Sequence, residues 1–128
     1  MPSPRNERGS AAVEFALVLP LLLVVALALV EVGLLGRDRL LVEAAARAGA
    51  RAAAVEADES AVRNDAVAAA PGLDPAVLSV EIFRSGTLGD PVTVTIGYVD
   101  EVRVPFIDWL VGTSVQMRAS AACRQEFG

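Results

Sequence analysis

The sequence RGSAAVEFALVLPLLLVVALALVEVGLL, residues 8–35, decides how this chain is organised. Between residues 11 and 35 the only charged residues are Glu14 and Glu31, and the only strong helix breaker is Pro20. As an α-helix rising about 1.5 Å per residue, this part spans roughly 37 Å, whereas the hydrocarbon core of a bilayer is about 30 Å thick. Because its side chains are apolar on every side, it predicts a helix that crosses a membrane and does not lie along the surface.

An acidic residue near the start of this apolar run is the second distinctive feature. Glu14 follows Gly9 by five residues and precedes the aromatic Phe15. An isolated carboxylate costs about 2.5–3.5 kcal/mol at the centre of a membrane helix, and less near its edge. We therefore expect Glu14 to serve a function at this position.

Residues 9–15, GSAAVEF, followed by an apolar helix resemble the processing site of type IV pilin-like precursors. The longer string RGSAAVEFALVLPLLL resembles the TadE-like family of minor pseudopilins in tight-adherence (Flp-type) pilus systems. The resemblance implies that a prepilin peptidase cuts between Gly9 and Ser10 on the cytoplasmic side. It also implies that Glu14 is the signature glutamate and Phe15 its aromatic neighbour, with roles in recognition and assembly.

The resemblance further implies a three-part chain in the cytoplasmic (inner) membrane. Residues 1–9 form the leader, residues 10–36 the transmembrane helix, and residues 37–128 a pilin-like head outside the cytoplasm. The orientation depends on the resemblance, because arginines flank the span almost equally on both sides. The polar residues 1–8 predict a disordered leader. The implied partners are membrane lipid, the prepilin peptidase and other pilin or pseudopilin subunits.

Other interpretations of the same layout remain open. A plain signal-anchor would make Glu14 an interfacial residue, and the chain would then be an unprocessed single-pass protein whose head is a binding or scaffolding module. A secretory signal cleaved at the small residues Ala26-Leu27-Ala28 would release a soluble domain starting near Leu29. The apolar run continues to Leu35, which is unusual for a cleaved signal peptide.

After the span, an alanine-rich stretch extends the helix, so that one long pilin-like spine is predicted from about Ala11 to about Ala57. Its second half is amphipathic. The apolar positions opposite its charged face are Leu40, Leu41, Ala44, Ala48, Ala52 and Val55. Ala45 and Gly49 place small residues one turn apart, so that another helix or a sheet could approach closely.

The remaining chain predicts an α+β head in which this helix packs on a small three-stranded antiparallel sheet. Asp58 is a predicted N-cap for a helix from Glu59 to about Ala70, and Asp74 caps a single turn that begins at Pro75. The three alternating segments are residues 79–84, 92–99 and 115–124. In the second segment, one face carries Val92, Val94, Ile96 and Tyr98.

Composition argues against catalysis, cofactors and nucleic acid. The chain has no His and one Cys, Cys123, so the usual nucleophile–base pairs and soft-metal clusters cannot form within it. Residues 58–128 carry five arginines against ten acidic residues, which accounts for the net charge of −5 and leaves no basic patch. Cys123 is predicted to be a free, half-buried strand residue, with an intermolecular disulfide as the alternative.

Two features of the head leave an alternative open. Asp100, Glu101 and Asp108 are predicted to belong to a solvated charged loop, with a weak calcium site as the alternative. The most apolar stretch of the head consists of Phe106, Ile107, Trp109, Leu110 and Val111. It is predicted to be core at the end of the sheet, and the alternative is a patch that faces a partner or the membrane.

Overall fold

The computed structural model describes residues 4–127, so residues 1–3 of the predicted leader lie outside the described part of the chain. It shows one long N-terminal helix packed on a three-stranded antiparallel sheet, which confirms the predicted α+β fold.

Helix α1 runs from Pro4 to Val55, and its 52 residues span roughly 78 Å at about 1.5 Å per residue. The prediction of a disordered leader is wrong from Pro4 onward, since the helix begins there and not at Ala11. Proline suits the first turn of a helix, where its missing N–H is not needed and its fixed φ is already helical. The helix also continues through Pro20, which membrane helices tolerate.

The connection after α1 follows the predicted caps. Helix α2 spans Glu59–Ala68, and the Asp58 carboxylate accepts a hydrogen bond of 2.9 Å from a backbone N–H of its first turn. A single 3-10 turn spans Pro75–Val77, where the Asp74 carboxylate accepts an equivalent bond of 2.9 Å. Both predicted N-caps are therefore confirmed.

The sheet contains strands β1 (Leu78–Arg84), β2 (Pro91–Glu101) and β3 (Ser114–Arg124), in the order β1-β2-β3 with antiparallel neighbours. A short helix, α3 (Asp108–Val111), lies in the connection between β2 and β3. The predicted alternation in β2 is confirmed, since one face of this strand buries Val92, Val94, Ile96 and Tyr98. Cys123 is a half-buried residue of β3, as predicted.

The core forms where small residues of α1 meet the sheet. The buried residues of this helix face are Val42, Ala45, Ala46, Ala50, Ala53 and Ala54. A Cβ added to Gly49 would lie 3.0 Å from Val94 Cγ1, so the small side chains do allow close approach of the sheet. Leu40 and Val55 are 64% and 62% exposed, so their predicted place on the packed face is wrong. The sheet instead packs over the smaller side chains, where the two backbones can come closest.

Candidate functional site

Residues 7–26 of α1 project from the head with exposed side chains. These residues span roughly 30 Å, the thickness of a bilayer hydrocarbon core. The helix is long and apolar enough to cross a membrane, and none of its most apolar 18-residue window is buried in the fold. This single helix therefore supports single-pass membrane anchoring.

The four predicted site residues lie together near the start of this exposed helix. Gly9 and Ser10 are adjacent within α1, and a Cβ added to Gly9 would meet no atom within 4 Å. Ser10 Oγ donates a hydrogen bond of 3.4 Å to Glu14 Oε1, and Phe15 is 61% exposed. Among residues 7–127, Ser10 is the hydrogen-bond partner found for the Glu14 carboxylate. Within residues 7–127, the fold thus places no constraint on Gly9 and gives Glu14 no opposite charge.

The second carboxylate of the apolar run, Glu31, has a very different environment. It is 2% exposed, and its partners come from the connection between β2 and β3. The backbone N–H of Arg103 donates to both carboxylate oxygens at 3.3 Å, and the N–H of Val104 donates to Oε2 at 3.0 Å. The head therefore satisfies Glu31 within the same chain, as burial of a charge requires.

Two turns further along α1, a buried ion-pair cluster joins the helix to the sheet. One terminal nitrogen of the Arg103 guanidinium donates to the carboxylate of Asp38 and, at 2.7 Å, to that of Asp100. Asp38 and Asp100 are 0% and 1% exposed, while the Arg103 side chain is 39% exposed. Arg37 approaches Asp38 at 3.5 Å from the solvent side. We call Glu31, Asp38, Asp100 and Arg103 the joint cluster.

The joint cluster holds more acidic than basic groups, and this affects protonation. Asp38 Oδ1 and Asp100 Oδ2 are buried without a hydrogen-bond partner among the described residues. Burial, together with the neighbouring Asp38 carboxylate, raises the pKa of Asp100 to about 6 against the opposing charge of Arg103. The hydrogen bond to Asp38 raises the pKa of Arg103 further above its ordinary value.

The joint cluster was missed by the sequence interpretation. Asp100 was predicted to lie in a solvated loop, and this is wrong because it is buried against Arg103, whereas Glu101 is exposed as that prediction requires. The calcium alternative also needs Asp108, which is exposed. Within residues 4–127, no group of three or more His, Cys, Asp or Glu side chains is arranged to hold a metal ion. The one available signal was Glu31 itself, a charge with no evident partner in an apolar run.

The apolar segment between β2 and β3 is mostly on the surface. Ile107 is 2% exposed, but Phe106 and Trp109 are each 74% exposed. Leu110 and Val111 are 59% and 45% exposed, so the prediction of core is wrong for four of these five residues. We call Phe106, Trp109, Leu110 and Val111 the loop patch. Because the loop patch is exposed, the alternative prediction remains, namely a patch that faces a partner or the membrane.

Comparison with known proteins gives one match. No curated protein and no solved structure matches the chain. Among protein families, the one described as TadE-like protein matches residues 9–51. The match begins at Gly9 and includes both carboxylates of the apolar run. Together with the candidate membrane helix, it fits a membrane protein associated with the tight-adherence pilus. Residues 9–51 are thus a TadE-like segment, which confirms the family resemblance seen in the sequence.

Proposed function

We propose that this protein is a membrane-anchored minor pseudopilin that takes part in assembling a tight-adherence (Flp-type) pilus or secretion apparatus. The observation that carries the proposal is that the TadE-like match covers most of a helix whose residues 7–26 project, exposed on all sides, for roughly 30 Å. A helix of this kind needs lipid or other helices around it. The role is structural: the chain is acted on by a peptidase and catalyses no reaction itself.

In this proposal the N-terminus faces the cytoplasm and the head lies outside the inner membrane. A prepilin peptidase cuts between Gly9 and Ser10, which removes the basic leader and leaves a free amine on Ser10. Phe15 lies one turn beyond the cut and contributes to recognition. The apolar helix then holds the subunit in the membrane until it packs among the helices of other subunits.

The two carboxylates of the apolar run support an assembly role for Glu14. Glu31 is satisfied by two N–H groups of its own head, whereas Glu14 is exposed and accepts a hydrogen bond only from Ser10 among the described residues 7–127. An unpaired carboxylate in lipid is costly, while a paired one is tolerated. The positive N-terminus of a neighbouring subunit would supply the missing charge and set the axial register between subunits.

The first test is the N-terminus of the mature chain, measured by intact mass after isolation from its native membrane. We expect a chain that begins at Ser10. Gly9→Val should abolish this processing, because the peptidase, and not the fold, constrains Gly9. Gly33→Val is the matched control, since a Cβ at Gly33 also meets no atom within 4 Å. An uncut parent chain would contradict the proposal and favour the unprocessed anchored binding or scaffolding module.

The second test compares Glu14→Ala with Glu31→Ala. We expect Glu14→Ala to leave expression and the protease resistance of the head unchanged, but to impair processing or co-isolation with other pilin subunits. Glu31→Ala should instead weaken the head itself, because the N–H groups of Arg103 and Val104 lose their acceptor. Normal processing and assembly of Glu14→Ala would rule out the assembly role of this residue.

A further inference from the structure

The direction of β2 brings the loop patch toward the membrane. Val94 of this strand packs against α1 at Gly49. Asp100, which comes later in the strand, shares Arg103 with Asp38, which comes earlier in α1. Strand β2 thus runs antiparallel to α1, from the far end of the head toward the span. The chain continues in the same direction beyond β2, until the N–H of Val104 reaches Glu31.

Glu31 marks a depth close to the outer boundary of the bilayer. A slab about 30 Å thick, centred between Arg8 and Arg37, ends roughly two residues beyond Glu31. If the exposed residues 7–26 alone fill the hydrocarbon core, Glu31 lies about 8 Å outside it. In both placements Glu31, and the loop segment bonded to it, lies at the level where hydrocarbon meets lipid headgroups.

The loop patch is held outward at this depth. Ile107 is buried and fixes the segment to the fold, while Phe106 and Trp109 on either side are 74% exposed. Phe106 has a φ of +68°, a backbone conformation that bulky residues rarely adopt. Such a conformation persists only where the surrounding structure imposes it, and it is frequent at functional sites.

The geometry points to insertion of the loop patch into the outer membrane–water interface, as a second lipid contact of the head beside its transmembrane helix. This inference rests on the proposed membrane anchoring. Tryptophan prefers that interface, where its ring is covered by lipid and its N–H stays near water. Asp108 is exposed within the same segment, so the insertion is shallow and the carboxylate remains on the water side.

The lipid contact is apolar and not ionic. The loop patch itself carries no charge, and residues 58–128 contain ten acidic residues against five arginines. Anionic headgroups would therefore give no electrostatic attraction. We expect insertion into phosphatidylcholine membranes that is insensitive to salt. The contact would limit the tilt of the head relative to the membrane, because both the span and the loop patch would touch the lipid.

The test uses the fluorescence of Trp109, which is the only tryptophan in the chain. The full chain is reconstituted in phosphatidylcholine vesicles, with bromine atoms placed either high or low on the acyl chains, at high dilution of protein in lipid. We expect the Trp109 emission to lie at shorter wavelength than in the unfolded chain measured without detergent. We also expect protection from iodide, and stronger quenching by the shallow bromines than by the deep ones. Iodide quenching without bromine quenching overturns the inference. Protection from both quenchers also overturns it, because the patch would then be covered by protein.

A matched variant moves the only tryptophan to the far end of the head. Phe83 is 61% exposed and adjoins Arg84, which donates a hydrogen bond of 2.7 Å to the carbonyl of Glu56 near the end of α1. The double variant Trp109→Phe, Phe83→Trp should be quenched by iodide and not by bromine at either depth. Flotation of the vesicles separates the two proposals. A chain that does not float overturns the anchoring, whereas a floating chain with Trp109 open to iodide overturns only the loop insertion.

Discussion

The joint cluster makes the stability of the head depend on pH in an unusual direction. Burial raises the pKa of Asp100 from 3.8 to about 6, so the folded state binds a proton that the unfolded state has already released. The resulting stabilisation is fully present below pH 3.8 and is lost as the pH rises through about 6. We therefore expect the head to be more stable in mild acid than at alkaline pH.

The magnitude follows from the two pKa values. The complete loss corresponds to about 3 kcal/mol, of which roughly half falls between about pH 5 and about pH 8. The lowered pKa values of Asp58 and Asp90, which come from their hydrogen bonds with Ser60 and Thr87, act mainly below this window. Between about pH 5 and about pH 8, the raised pKa of Asp100 therefore sets how the free energy of unfolding changes with pH.

The assay is urea unfolding of the full chain in detergent micelles, followed by circular dichroism at several pH values across that window. Asp100→Asn should remove most of the slope, because an amide cannot ionise and can still donate a hydrogen bond to Asp38. Glu101→Gln is the matched control and should keep the parental slope, since Glu101 is the exposed neighbour. Parent curves that coincide at all pH values would refute the reasoning, as would an Asp100→Asn chain with the parental slope.

Two further substitutions test how the head is held on α1, both by urea unfolding in micelles. Arg103→Met should lower the free energy of unfolding by about 2–4 kcal/mol, because it leaves Asp38 and Asp100 buried without a cation. The expected loss is smaller than for a fully buried ion pair, since the Arg103 side chain is 39% exposed. Gly49→Val should lower it by about 1–3 kcal/mol, because its Cβ alone would lie 3.0 Å from Val94.

Each substitution has a control of the same chemistry. Arg47 pairs with Glu43 at 3.8 Å and its side chain is 61% exposed, so Arg47→Met should change the free energy of unfolding by less than about 0.5 kcal/mol. Gly36→Val places a Cβ where no atom lies within 4 Å. An Arg103→Met chain as stable as Arg47→Met would show that the joint cluster does not hold the head. Equal effects of Gly49→Val and Gly36→Val would contradict the close packing.

The strands and caps were predictable because their signals are local. In β2, apolar residues alternate with threonine and glycine, and this pattern alone fixes which face is buried. Asp58 and Asp74 each stand at the start of a helical turn, where a short carboxylate can accept a backbone hydrogen bond. Such features need no knowledge of distant parts of the chain.

The packed face of α1 was less predictable because alanine occurs on every side of this part of the helix. Burying Leu40 or Val55 would remove more apolar surface from water than burying an alanine. Both are nevertheless exposed, since the sheet packs over the small residues around Gly49. The choice of face is a tertiary effect that the apolar pattern does not encode.

The joint cluster was beyond prediction from this sequence, because its members are far apart along the chain. Asp38 and Arg103 are separated by 65 residues, and Glu31 and Val104 by 73. Asp38 and Asp100, each taken alone, are compatible with a solvated surface. The seven-residue spacing of Glu31 and Asp38 does put them on one helix face, two turns apart. Nothing in the sequence, however, indicates that Arg103 is the arginine that joins the sheet to this helix.

In the proposed function, the two carboxylates of the apolar run divide α1 into a part that is fixed within this chain and a part that contacts neighbouring subunits. Near Glu31 the helix is fixed to its own head, so its position relative to the sheet is set within the subunit. Around Glu14 the helix is exposed, and α1 runs unbroken from there to the sheet. If a neighbouring amine pairs with Glu14, the register set at that contact therefore passes along a single helix to the head. A one-residue change in that register would move the whole head by about 1.5 Å along the helix axis.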